Sequence, residues 1–287
     1  MEPALSASVA ILLAALQPQA TGAALAERCE GRDGWSDPAP PAHIHGNTYY
    51  VGTCGISAIL ITSRRGHILI DGATEQAAPL IAANIEALGF PVRDVKLILN
   101  SHEHGDHAGG IAALQRLSGA SVAIRNPAVP ALTSGLPQAD DPQFGSLRPF
   151  PGTTIRRLVR DEEIVRLGSS RLTAFATPGH TSGGTSWSWR SCEGRTCLTI
   201  VYADSLTAVS ADGYRFSDHP AYVATFRRSI ARVAALRCDL LLTPHPGASG
   251  LFDRFRSGRL TDPAGCRDYA ARATARLDER LAQEASQ

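Results

Sequence analysis

Lysine is almost missing from this chain of 287 residues. Lys96 is the only one, and every other basic residue is arginine. We read that as coding bias rather than chemistry. A surplus of either charge is missing too. Lys and Arg total 28 and Asp and Glu 27, a formal net charge of +1, which argues against a nucleic-acid or anionic-membrane surface. No apolar run is long enough to span a bilayer. No C-x-x-C pair occurs, which disfavours a closed thiolate zinc site. Low-complexity segments and short tandem repeats are absent as well.

What is present fits a soluble globular protein, with 44% hydrophobic and 19% charged residues in a length suited to one large domain or two small ones. Residues 4–16, "ALSASVAILLAAL", have the length and composition of a signal-peptide core, and Ala24-Leu25-Ala26 reads as an A-x-A cleavage site. The acidic Glu2, without a neighbouring Lys or Arg, is atypical of such leaders. The expected division is a signal peptide over 1–26 and a single domain over 27–287, with export to the periplasm. Six cysteines follow that cleavage site, an even number that suits disulfides in an oxidising compartment. Cys192 and Cys197 flank the tight turn "EGRT" between two strand-like runs and are expected to pair. Six cysteines allow many pairings; chain order then suggests Cys29–Cys54 and Cys238–Cys266.

Residues 27–45, rich in Pro, Asp and Gly, read as an irregular arm. From Thr48 the runs "TYYVG", "SAILIT" and "HILIDG" read as strands, a helix is expected over 75–88, and "VKLILN" is a short apolar strand. A short helix follows His107. The stretch 127–152, with its several prolines, reads as loop. A second half then repeats the plan: three strands, a hairpin over "TSWSWRSCEGRTCLTIVYAD", an amphipathic helix over 219–236, the strand of "CDLLLTPHPG", and a C-terminal helix over 266–283. Strand clusters and helices in two halves suggest two sheets back to back with helices outside.

The chemistry is concentrated in residues 101–110, "SHEHGDHAGG", which hold three of the nine histidines. His102 and His104 leave an extended chain on one side. Asp106 and His107 diverge after a glycine that lets the backbone turn. Two further histidines follow strands: His180 in "FATPGHTSGG", and His245 in "LLLTPHPGAS" between two prolines that fix its backbone. Six groups at three strand ends make two three-ligand sets. Three protein ligands leave open positions, the catalytic arrangement. Imidazole with one carboxylate and no thiolate suits zinc, with iron or manganese as alternatives. His43, His45, His67 and His219 lack such a context and are expected to be structural. Trp187 and Trp189 are expected to pack, Asp71 to bury its carboxylate behind a ligand or backbone, and Glu103 to be solvated.

The motif His102-x-His104-x-Asp106-His107 resembles the signature of the metallo-β-lactamase superfamily. With "TPGHTSGGTSW", "YADSLTAVSADGYRFSDHP" and "CDLLLTPHPGASG", the chain is similar to the subclass B3 metallo-β-lactamases, in particular the disulfide-containing branch. The resemblance covers residues 47–249. It implies an α/β fold, the αββα sandwich of two mixed sheets packed face to face with helices outside. It implies two Zn²⁺ ions, one on His102, His104 and His180, the other on Asp106, His107 and His245. Glyoxalase- and phosphodiesterase-like members have a metal-bridging aspartate after a strand; subclass B3 has serine there, which falls on Ser205 with Asp204 one place off. A register slip would return Asp204 to the bridge. The chain also departs from the family's usual Pro then Gly-Ser after His180, having Ser182, Gly183 and Gly184.

The resemblance implies a secreted enzyme that hydrolyses the β-lactam amide of penicillins, cephalosporins and carbapenems, and so confers antibiotic resistance. Hydroxide shared by two zincs would attack the carbonyl, with water acidified to a pKa of about 7. The first zinc would polarise the carbonyl oxygen and the second would stabilise the leaving nitrogen. Asp106 is the catalytic group, holding both zinc and nucleophile, and no covalent acyl-enzyme is expected. Ser205 and Thr207 would bind the substrate carboxylate, and Gln143 would border the pocket. The expected partner is a small β-lactam, with no nucleic acid and no membrane, and the expected state is a monomer. Two rivals stand: a hydrolase of the same fold acting on thioesters, lactones or phosphodiesters, and a non-catalytic periplasmic zinc-binding protein.

Overall fold

A computed structural model describes residues 21–286. The apolar run 4–16 lies outside the described residues. Helix α1 (Gly22–Arg28) leads into seven strands hydrogen-bonded in chain order: β1 (Ala42–His45), β2 (Thr48–Tyr50), β3 (Ile59–Ile61), β4 (His67–Ile70), β5 (Val95–Leu99), β6 (Ser121–Arg125) and β7 (Ile155–Val159). Between them run α2 (Ala78–Ala87), α3 (Gly105–Ala108), α4 (Ile111–Ser118) and α5 (Val129–Ser134). The second sheet holds β8 (Ile164–Leu167), β9 (Ser170–Ala176), β10 (Thr185–Glu193), β11 (Thr196–Tyr202) and β12 (Leu240–Leu242), in the order β12-β11-β10-β9-β8. Helices α6 (Pro220–Ala235), α7 (Leu251–Ser257) and α8 (Gly265–Ala285) complete the chain.

The apolar runs become strands buried on both faces. Ile59, Ile61, Ile68, Ile70, Leu97 and Leu99 face the second sheet, packing with Trp187, Trp189, Ile200, Tyr202, Leu240 and Leu242. Their neighbours Leu60, Leu69 and Ile98 face outward onto Ile81 and Ile85 of α2 and Ile111 and Leu114 of α4. On the other side Val201 and Leu241 meet Phe226, Ile230 and Val233 of α6 and Tyr269, Ala273 and Leu277 of α8. A strand covered on both faces has no polar side, which is why these runs do not alternate. Three apolar layers between four layers of structure give the expected αββα sandwich.

Most expected elements are in place, and three details differ. β7 pairs with β6 in the first sheet, so the halves divide after it. The stretch read as loop contains α5. Pro130 occupies its first turn, where the missing N–H would have had no partner in any case. The irregular arm contains β1 and the end of α1. The boundary expected after Ala26 falls inside α1, whose Leu25 and Ala26 are fully buried in the core between the sheets. The disulfides are Cys29–Cys54, Cys192–Cys197 and Cys238–Cys266, as expected. No helix among the described residues is long and apolar enough to cross a membrane.

Candidate metal centre

Each expected ligand lies just past a strand end or in the turn that follows. β5 runs into His102 and His104, and α3 carries Asp106 and His107 on one short helical turn. The loop after β9 carries His180, and the loop after β12 carries His245. Main-chain bonds tie these segments across the edge: Thr185 N donates to Ser101 O at 2.7 Å, Gly72 N to His107 O at 2.8 Å, and Ser57 N to Pro244 O at 2.7 Å. The first and third join segments of different sheets, so the site sits where the two sheets meet.

Two donor groups result. In one, His102, His104 and His180 bring ligand atoms within 4.8 Å of one another; His102, Asp106 and His107 do the same. His245 reaches the second group through Asp106, whose Oδ2 lies 3.4 Å from His245 Nε2 and 3.1 Å from His107 Nε2. His102 thus stands between the groups, its ring 4.8 Å from that of His180 and 4.3 Å from that of His107.

The outer nitrogen of several rings is taken up by protein. His102 Nδ1 meets Asp204 Oδ1 at 2.8 Å. His104 Nε2 meets Asp141 Oδ2 at 2.8 Å. His180 Nδ1 meets both the carbonyl and the hydroxyl of Thr207 at 3.0 Å. A partner on one nitrogen fixes the tautomer and turns the other toward a metal. The inward atoms are therefore Nε2 of His102, Nδ1 of His104 and Nε2 of His180. His102 Nε2, both nitrogens of His107 and Asp204 Oδ2 are buried without a hydrogen-bond partner. Orphaned buried nitrogens are costly, and a cation among them would remove that cost. The donor set fits a metal.

Electrostatics agree at the first group; at the second, burial lowers the His107 imidazole but Asp106 and Asp71 outweigh it and hold the ring above its usual range. Burial, then the neighbouring rings of His107, His180 and His104, push the His102 imidazole well below its usual range. Burial and His104 push His180 down to about 3. Both rings are therefore neutral at pH 7, as ligation requires. Burial raises the Asp106 carboxyl, but His107 and His245 outweigh it and hold it far below the carboxylate range. Burial, joined by the neighbouring carboxylates of Asp71 and Glu103, drives Asp204 well above its own against the Ser205 amide and Arg125. A cation beside His102 would stabilise that carboxylate through the ring.

Around the ligands, Asp71 is buried as expected, accepting from Ser101 N (2.7 Å), Ser101 Oγ (2.7 Å), Asn100 Nδ2 (3.0 Å) and Tyr202 OH (2.7 Å), with Oδ2 3.9 Å from His107 Nδ1. Asp204 is placed behind His102 and not between the donor groups: its one ion-pair contact within 4.0 Å among the described residues is with His102. Gln143 Nε2 lies 3.5 Å from His180 Nε2. Ser205 is buried beside Asp204. Thr207 directs its hydroxyl to His180. His43, His45, His67 and His219 join neither group, and Trp187 and Trp189 are packed in the core.

Glu103 corrects the sequence reading. It is 7% exposed, not solvated, because the loop after His180 folds over it. Asp141 and Trp35 were missed. Asp141 meets the centre through His104, a partner 37 residues away, and accepts from Gln143 N at 2.7 Å. Trp35 lies 6.2 Å from the His245 ring and is 53% exposed. A large aromatic in a Pro- and Gly-rich arm was the available signal for it.

Comparison with known proteins agrees with the site. The profile of the Metallo-beta-lactamase superfamily matches residues 51–199, just over half the chain. The metallo-β-lactamase MIM-1 from Novosphingobium pentaromativorans is 51% identical, with a TM-score of 0.89 over 92% of this chain and 98% of that one. MEM-A1, a subclass B3 metallo-β-lactamase from a soil metagenome library, is 49% identical, with a TM-score of 0.85 over 88% and 99%. A curated hydroxyacylglutathione hydrolase from Maricaulis maris is 34% identical over 86 residues, 30% of this chain and 26% of that protein. Another, from Methylococcus capsulatus, is 31% identical over 113 residues, 39% of this chain and 36% of its own length. The chain thus spans about a third or less of these curated relatives, but nearly all of the solved ones at half their residues identical, and it belongs to the metallo-β-lactamase superfamily.

Proposed function

We propose that this chain is an exported, zinc-dependent β-lactamase that acts as a monomer and opens the lactam amide with water. The observation that carries the reading is the place of Asp204. An aspartate shared by two metals marks the thioester- and phosphodiester-cleaving branches. Here that carboxylate meets His102 Nδ1, the nitrogen turned away from the donor groups. The next residue, Ser205, takes the place that subclass B3 gives to serine. The three disulfides support an oxidising compartment, and the periplasm is our reading of it.

Two zinc ions, held by His102, His104 and His180 and by Asp106, His107 and His245, would supply an acidified water and a Lewis acid for the carbonyl oxygen. The chain's own groups do the rest. Asp106 stays ionised, so one carboxylate oxygen can accept the proton of the attacking water while Oδ2 faces His107 and His245. Asp204, Asp141 and Thr207 hold three rings in the tautomers that ligation needs. Ser205 is the donor for the substrate carboxylate, and Gln143 borders the pocket beside His180. Thr207 contributes by orienting His180. Trp35 gives an apolar wall beside His245.

The test is hydrolysis of a chromogenic cephalosporin by the full chain, beside a glutathione thioester, each with and without a chelator. We expect cephalosporin turnover that the chelator abolishes and zinc restores. Thioester turnover without cephalosporin turnover, or no turnover of either by the zinc-loaded protein, overturns the reading.

A further inference from the structure

Glu103 is the one side chain within the His102–His107 motif, glycine aside, that faces neither donor group. In extended chain it leaves on the side opposite to His102 and His104, and that side is protein. Its carboxylate accepts from Thr181 Oγ1 at 2.8 Å, from Gly183 N at 2.8 Å and from Ser182 Oγ at 3.5 Å. These are the three residues that follow His180. The fourth, Gly184, is held by Arg125, whose Nη1 donates to its carbonyl at 2.9 Å. An anion takes the loop's donors and a cation takes its acceptor. Gly183 is there for room: a Cβ would overlap Glu103 Oε2 and the Cβ of Ala128. The departure from the family's usual residues after His180 therefore matches the acid at 103.

We propose that Glu103 is a positioning residue for metal binding. It ties the segment carrying His102 and His104 to the loop carrying His180, and so sets the spacing of three imidazoles. The proposal rests on the two-zinc reading above. It also predicts selectivity. Asp106, His107 and His245 are held by other contacts, Gly72 N to His107 O and Ser57 N to Pro244 O, which Glu103 does not touch.

The experiment is zinc uptake by the metal-stripped full chain in competition with a chromogenic chelator, for wild type, Glu103→Ala and Glu103→Gln. Urea unfolding of the metal-free proteins runs alongside. Wild type should take two equivalents. Glu103→Ala should bind one of them about tenfold or more weakly and the other within about threefold of wild type, in line with the usual effect of removing a group behind a ligand. Glu103→Gln should recover most of the loss, since its amide oxygen still accepts from Gly183 N and its NH₂ meets the Thr181 hydroxyl turned as acceptor. Should Glu103→Ala fail to fold, Thr181→Val carries the test: it removes one donor and should weaken the same single zinc. Unchanged affinities in Glu103→Ala, equal weakening of both sites, or a Gln variant as impaired as the Ala variant overturns the proposal. If wild type takes up no zinc, the metal reading falls and the proposal with it. If wild type and Glu103→Ala both take two equally tightly, only the proposal falls.

Discussion

Asp71 organises more of the site than any ligand does. It is fully buried at the end of β4, its φ of 64° in the left-handed region that aspartate tolerates better than most residues. Four donors converge on it, from Asn100, both donors of Ser101, and Tyr202. The Tyr202 hydroxyl comes from the other sheet, so this bond ties the two sheets beneath the donor groups. Tyr202→Phe removes only that donor. A hydrogen bond to a charged group contributes about 1.5–3 kcal/mol, and urea unfolding of the metal-free protein should show a loss of that size. A loss near zero would mean that the hydroxyl is dispensable to Asp71. The residue was legible in "LIDG" because a carboxylate ending an apolar strand must find donors. Glu103 was not legible. Alternation places it opposite His102 and His104, but only the folding of a loop 78 residues further on makes that side protein instead of water.

Among the elements, α8 holds the segment that carries Ser205 and Thr207. Tyr269 OH donates to Asp204 O at 3.1 Å and accepts from Leu206 N at 3.0 Å. Arg280 reaches Ser210 Oγ and Tyr214 O, and pairs with Glu284 one turn on. Glu284 is buried, accepting from Phe216 N at 3.1 Å and Ser217 N at 2.7 Å. Burial raises its carboxyl, but the two amides and Arg280 outweigh burial and pull it from the usual 4.5 down to about 2. A group depressed in the folded state stabilises above its unfolded pKa, and that contribution fades as pH falls toward the folded one. Glu284→Gln should therefore lower the urea midpoint of metal-free protein at pH 7. The gap to wild type should narrow from about pH 4.5 downward. A gap that stays constant down to about pH 3 would show that charge is not its source. The C-terminal helix itself was readable from Tyr269, Ala273, Leu277 and Leu281 at spacing four. Helix α5 was not, because a stretch holding Pro127 and Pro130 reads as loop. Proline breaks helix interiors but starts helices well, and six residues are too few for a period to show.

At the scale of the molecule, the layers and strand ends were legible because apolar runs covered on both faces leave little choice of architecture. At the N-terminal limit of the folded unit, pattern and packing point to different residues. A cleavage signal is a local pattern of small residues, and Ala24-Leu25-Ala26 satisfies it. Packing reads the same residues differently. Thr21 caps α1 with its side chain, and Leu25 and Ala26 lie fully buried in the core between the sheets. The helix presses on α7 so closely that a Cβ at Gly22 would overlap the Phe255 ring. The disulfide Cys29–Cys54 then anchors the helix end to the loop after β2. A cut after Ala26 would remove the helix, and losing the Leu25 side chain alone would cost about 2–5 kcal/mol. If the chain is exported as proposed, cleavage at its N-terminus should therefore fall before Gly22. Mass spectrometry of the N-terminal peptide of the exported protein checks this. A first residue at or before Gly22 is the expected result, and a mature chain starting at Glu27 would show that α1 is dispensable. A chain expressed from Glu27 onward should also unfold at lower urea than one starting at Thr21, with the sheets still formed and the core between them short of one wall.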